Sequence, residues 1–423
     1  MEITSRDKSG MRWYSLHKPR LDIGMVLFLK PIIDIFWQLS FLDFFLCLLI
    51  VVEFGKIFCR RTFSTFNVLD LSFMVTIVLY SITLFSSFGV ADLTTYIKII
   101  TAYPLYFIGK NAKQDTDRYI SSILSGYKIA FIINLVAIAL GKGGVQWGNA
   151  NTLNGLYFFK TDYAVALCTF ISFLLIQKRL SLKIIAYIVL AGLLLLLTNA
   201  RVSLFAMILV ILFGIFFRRE IKKNKTILRI NLKAIGIAVG SLLAMLFLLR
   251  YLGTTNLFAS RGLISVDFRK ITDIFNNANT QGRSVIWSNL MKDFNRHGFL
   301  VRLFGVKINN NLFDLGGLAE NVGAHSLYFG MLYSIGYIGI LLFFVQLLFI
   351  LNKLNKCKRR ELFYLSIMLL AIYLIFGISV CTNEFTNYTW IMMFVIGLAF
   401  NKRNNDSMLG TIFVGSRKKV STT

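Results

Sequence analysis

Long apolar runs separated by short polar breaks dominate the chain. Twelve stretches approach the roughly 20 residues that a helix needs to cross a bilayer. They fall near 21–39, 41–55, 68–88, 93–109, 120–140, 161–177, 184–198, 202–217, 234–249, 325–351, 362–380 and 385–400. Most are apolar on every face, so periodicity discriminates little within them. Helix is expected because the hydrocarbon core offers backbone groups no water to bond. The pattern therefore predicts an all-α integral membrane protein, a single polytopic domain of about 12 transmembrane helices.

One polar segment breaks the alternation, residues 250–324. Within it Ile286, Leu290 and Phe294 recur at successive fourth positions, which predicts a helix with one apolar face packed on the membrane domain. Long connections of this kind are usually either functional or disordered.

Composition agrees with the span pattern: 56% of the 423 residues are hydrophobic, mean hydropathy is +0.67, and 16% are charged. A soluble domain carries roughly 25% charged residues. The net charge of +26 would suit nucleic acid, but its distribution argues otherwise. About 31 of the 46 Lys and Arg lie in the N-terminus, the C-terminal tail and alternate connections such as "QKRLSLK" and "RREIKKNKTILRINLK", against about 12 on the other side. Positive charge marks the cytoplasmic face, so both termini are expected in the cytoplasm, the 250–324 loop outside it, and no nucleic acid as partner. No small-residue cleavage site follows the basic start, so a removed signal peptide is not expected. The five cysteines lie in or beside spans without paired spacing, which supports neither a disulfide framework nor a zinc site.

Candidate chemistry gathers on the outer side. Arg201 stands in "LLLLLTNARVSLF", where "TNAR" is the only polar break between two spans. Its planar guanidinium suits phosphate oxygens, and it equally suits a snorkelling interfacial role. Arg283, in "QGRSVIWSNL", reads either as a second anion clamp or as half of a salt bridge. Arg261 belongs to the same basic loop. His325, in "NVGAHSLYFGML", sits just ahead of a span. With neighbouring cations disfavouring its protonation it could serve as a general base, or it could be structural. Lys30 and Asp34 are one helical turn apart and could neutralise each other, whereas Lys98 and Lys128 have no partner in sequence. Acidic residues within the spans are few, which leaves a proton relay short of members.

Taken together, "TNAR", "GRSVIW", "LFGV" and "AHSLYFGMLYSIGYIGILLFF" in this order resemble the bacterial O-antigen ligase and polysaccharide (Wzy-type) polymerase superfamily, over roughly residues 190–345. The correspondence places Thr198 with Arg201, Arg283 with Trp287, Gly305 with Val306, and His325 with Tyr328. Ser326 stands where the family often has Asn, and "TNAR" matches its serine-glycine-serine-arginine type loosely. The resemblance implies inverting glycosyl transfer from an undecaprenyl-pyrophosphate-linked oligosaccharide, outside the bacterial cytoplasmic membrane. His325 would be the general base, and Arg201 and Arg283 would stabilise the leaving pyrophosphate. Tyr328, Arg261 and Lys160 are further candidate substrate contacts. Neither metal nor cofactor is required, because pyrophosphate leaves readily. The acceptor would be a lipid-linked repeat unit for a polymerase of capsule, exopolysaccharide or O-antigen, or a lipid core for a ligase. A flippase and a chain-length regulator are the implied protein partners. A flippase for the same lipid-linked unit is the reading from a different class, kept open by Lys30, Lys98 and Lys128.

Overall fold

A computed structural model describes residues 22–36, 38, 41–59, 66–86, 89–112, 115–147, 150–177, 180–198, 200–223, 283–308 and 323–401. The expected span at 234–249 and the first part of the long loop, Arg261 included, lie outside these residues, as do both termini.

The described chain is almost wholly helical. In order come α1 (Ile23–Ile33), α2 (Phe41–Cys59), α3 (Val68–Ser86), α4 (Val90–Ile100), α5 (Ala102–Lys110) and α6 (Thr116–Ala139). A small antiparallel hairpin follows, β1 (Gly144–Trp147) and β2 (Ala150–Leu153), paired in register from Gly144 with Leu153 to Trp147 with Ala150. Then come α7 (Lys160–Leu175), α8 (Leu182–Leu197), α9 (Arg201–Lys223), α10 (Arg283–Arg296), α11 (Phe299–Phe304), α12 (Leu327–Asn355), α13 (Arg360–Phe376), a 3₁₀ turn (Thr382–Glu384) and α14 (Thr386–Ala399).

Four of these helices are long and apolar enough to cross a membrane: Val68–Ser86, Thr116–Ala139, Val202–Ile221 and Leu327–Asn355. This makes the chain a helical membrane protein. Several expected spans differ in extent from the sequence reading, for definite local reasons. The segment 93–109 is divided at Thr101, and Pro104, in the first turn after the break, has no N–H to continue the earlier helix. The expected span at 325–351 is shifted along the chain: its helix begins at Leu327, with Ser326 as N-cap, so His325 lies ahead of it, and it continues to Asn355.

Contacts fix how the helices run. Trp390 Nε1 donates to Thr101 Oγ1 at the starts of α14 and α5, and Gly109 lies against Phe394 and Leu398 further along, so these two run in parallel. Likewise α7 and α9 run together, with Cys168 near Ser203 and Leu175 near Gly214. Helix α13 runs against α9, since Tyr364 donates to Glu220 Oε2 at 2.6 Å and Arg360 pairs with the same carboxylate at 3.1 Å. One end of the bundle thereby collects the N-termini of α7, α9, α12 and α14 and the C-terminus of α13.

Buried polar groups act as connectors where no water competes. Gln346 of α12 donates to Ser72 O at 3.0 Å and Thr76 Oγ1 at 2.7 Å on α3. Lys30, fully buried, lies between Asp34 at 2.5 Å and Asp43 at 2.7 Å, donates to Thr386 Oγ1 at 3.0 Å, and faces the Trp390 ring at 4.7 Å. The Lys30 and Asp34 pairing read from their spacing is thus present, with Asp43 as a third member.

Candidate functional site

At the end where those termini gather, α10 lies across the start of α12. Its sequence explains the seat: Ile286, Leu290 and Phe294 form the single buried face expected from their spacing. Leu290 and Phe294 pack with Ala324 and Tyr333 in a small core separate from the main one. Trp287 adds a specific lock. Its Nε1 donates to Ala324 O at 2.9 Å while its ring stacks on Phe329 at 5.1 Å. Further along, Tyr333 donates to Asp293 Oδ2 at 2.6 Å.

The lock brings Arg283, first residue of α10, within electrostatic reach of His325. His325 has φ 45°, the one non-glycine residue with positive φ among those described. The conformation is sustained on both sides: Trp287 holds the preceding carbonyl, and Leu327 N donates to Gly377 O at 2.7 Å after it. Strain over-determined in this way is characteristic of functional positions. His325 is exposed, and the part of its imidazole that the fold covers loses hydration. That desolvation, and then the Arg283 charge, hold its pKa below the ordinary 6.5.

The Gly305 and Val306 pair forms a second lock. Helix α12 leaves helical geometry at Gly336, with φ 67° and ψ −167°. The break frees the Tyr333 carbonyl, which accepts from Val306 N at 2.7 Å, and Ser334 Oγ donates to Ile308 O at 3.1 Å. A Cβ on Gly305 would fall 2.2 Å from Ser334 O, and one on Gly336 would fall 2.3 Å from Leu303 O. Each glycine makes room for the other's backbone.

The remaining candidates separate. Thr198 is buried, donates to Leu195 O at 2.7 Å and accepts from Ala200 N at 3.3 Å, so its hydroxyl serves the turn between α8 and α9. Arg201 opens α9 at the same end of the bundle as Gly377, and its side chain lies outside what the structure describes. Lys160 opens α7 at that end too. Tyr328 is half-buried: its hydroxyl donates to Leu374 O at 3.0 Å and its ring meets Phe343 at 6.4 Å, which fits a packing role.

Sequence reasoning missed a group of charges nearby. Cys381 reaches Ser326 O at 3.4 Å, and the 3₁₀ turn after it places Asn383 on Tyr80 OH at 3.2 Å and Glu384 within reach of Lys98. Asp162, at the start of α7, also feels Lys98 and in turn acts on Asp34. In sequence, Asp162 and Glu384 fall in connections or at span limits. Only the folding of α4, α7 and the 3₁₀ turn together makes them one group.

No protein-family model matches the chain, and no curated protein matches it.

Proposed function

We propose that the protein is a polysaccharide polymerase of the bacterial cytoplasmic membrane, a twelve-span enzyme with both termini in the cytoplasm and its site on the opposite face. It would transfer glycan from an undecaprenyl-pyrophosphate-linked donor to a sugar hydroxyl of a second lipid-linked repeat unit. In this reading His325 accepts the hydroxyl proton as the oxygen attacks the anomeric carbon. The bond from that carbon to the pyrophosphate oxygen breaks, its electron pair stays on pyrophosphate, and the attack from the opposite face inverts the configuration. Arg283, with Arg201 as second clamp, stabilises the charge that develops on the leaving group. A fixed cation in a site partly screened from water is worth far more than one in bulk solvent.

The observation that carries this reading is the pairing of Arg283 with a strained, partly desolvated His325, held by the Trp287 bond to Ala324. A base must stay unprotonated at neutral pH, and a leaving phosphate needs a cation close by. One pair of residues supplies both. A flippase and a chain-length regulator are the expected protein partners.

The charges Lys30, Asp34, Asp43, Lys98, Asp162 and Glu384 favour a second reading, movement of the same lipid-linked unit across the membrane, because ionisable groups within spans often mark transport pathways. Purified protein supplied with the host's lipid-linked oligosaccharide separates the readings. A ladder of lengthened products supports the polymerase, and a single transfer to added lipid core supports the ligase. Translocation in vesicles without transfer supports the flippase.

A further inference from the structure

Helix α11 buries none of its six residues. Phe299 is 64% exposed and Leu300 68%, with Val301 and Phe304 also open. So apolar a surface on a segment between two charged stretches is not a solvated loop. It is fastened to the bundle, packed on α12 and α3, with Thr83 Oγ1 donating to Phe304 O at 3.3 Å. Beside that contact, Phe85 and Val90 at the ends of α3 and α4 are still more exposed, so the apolar surface continues from the bundle onto α11.

Positive charge borders this surface. Arg296 is exposed and Arg302 half-buried, and the Arg302 Nε is buried without a hydrogen-bond partner among the described residues. The nearby carboxylates are engaged elsewhere: Asp293 accepts from Tyr333, and Asp92 lies 4.0 Å from Lys307. What complements an apolar face bordered by one exposed and one half-buried arginine is a lipid whose chains cover the rings and whose phosphate meets a guanidinium.

We propose that α11 is seated in the membrane leaflet at this end of the bundle, where Phe299 and Leu300 face acyl chains and Arg302 holds the phosphate of an anionic phospholipid. The seat does not depend on the reaction proposed above. Because α11 follows α10 directly and is joined to α12 through Gly305 and Gly336, the lipid also steadies the helix that carries Arg283.

The test uses the full-length protein in nanodiscs containing phosphatidylglycerol with a photoactivatable diazirine in its acyl chain, with adducts located by peptide mass spectrometry. Adducts should form on residues 299–304 in yield comparable to those on Leu341 and Leu348, outward-facing positions of α12. Arg302→Gln should lower the 299–304 adducts about fivefold, the effect of one cation at an anionic surface, and leave Leu341 and Leu348 labelled as before. Arg302→Lys should retain most of the labelling. On the unaltered protein, excess unlabelled phosphatidylglycerol should displace the probe from 299–304 more effectively than phosphatidylcholine, a comparison that stands if the Gln variant fails to fold. Labelling of Leu341 and Leu348 without 299–304 would overturn the lipid seat. Unchanged labelling in a folded Arg302→Gln protein would overturn the phosphate contact.

Discussion

His325 holds a left-handed backbone conformation that costs a residue with a Cβ on the order of 1 kcal/mol, and neighbours on both sides pin it there. A lone histidine in sequence could be a base or a packing residue; backbone geometry and the nearby Arg283 charge are the observations on which the proposed base rests. Its pKa lies below 6.5, so the acid limb of the rate profile should have its midpoint below that value. The sign follows from the cause. Arg283→Ala removes a repelling cation, protonation becomes easier, and the limb should move up toward 6.5 while the maximal rate falls. A limb unmoved by Arg283→Ala would separate the two residues. Trp287→Phe keeps a ring for Phe329 but loses the bond to Ala324 O, a loss of about 1 kcal/mol in stability. It should also lower turnover more than thermal stability alone accounts for, measured by comparing rate with unfolding temperature. The residue patterns showed Arg283 and His325 as separate candidates that only the family resemblance joined; what brings them within electrostatic reach is a tryptophan bonded to a backbone carbonyl, which no sequence pattern marks.

At the scale of elements, the buried face of α10 was legible, since an apolar residue at every fourth position of a polar stretch marks one side of a helix. The kink in α12 was not. Glycines are common in membrane helices, and nothing in "YSIGYIG" says that Gly336 rather than Gly339 leaves helical geometry. The reason lies in the partner: Gly305 must approach the Ser334 carbonyl, and Leu303 must approach Gly336. Either Gly305→Ala or Gly336→Ala should therefore destabilise by more than the ~1 kcal/mol of an ordinary glycine replacement, since each adds a backbone clash to an unfavourable φ. Thermal unfolding in detergent would read this, and the double variant should cost less than the sum because both act on one contact.

For the whole molecule, the apolar runs revealed a helical membrane protein but misjudged the extent of several helices, too long at α1 and too short at α9 and α12, because apolar residues continue past caps and helices continue past apolar runs. Charge pairing within the bundle was legible only for Lys30 and Asp34, which lie one turn apart; Asp43 and Thr386 reach Lys30 through tertiary structure. Lys30→Met would leave Asp34 and Asp43 facing each other without their cation, and should cost about 3 kcal/mol or more in thermal unfolding. Adding Asp34→Asn should recover part of that loss, and no recovery would show that the lysine acts through packing on Trp390 instead.

The most direct test is transfer by the purified protein on its host's lipid-linked oligosaccharide, wild type beside His325→Ala, both shown to be folded by their unfolding temperatures. The proposed mechanism predicts a product ladder from wild type and at least about a hundredfold less from the variant, on the order expected for loss of a general base. A ladder formed at the wild-type rate by His325→Ala would contradict it.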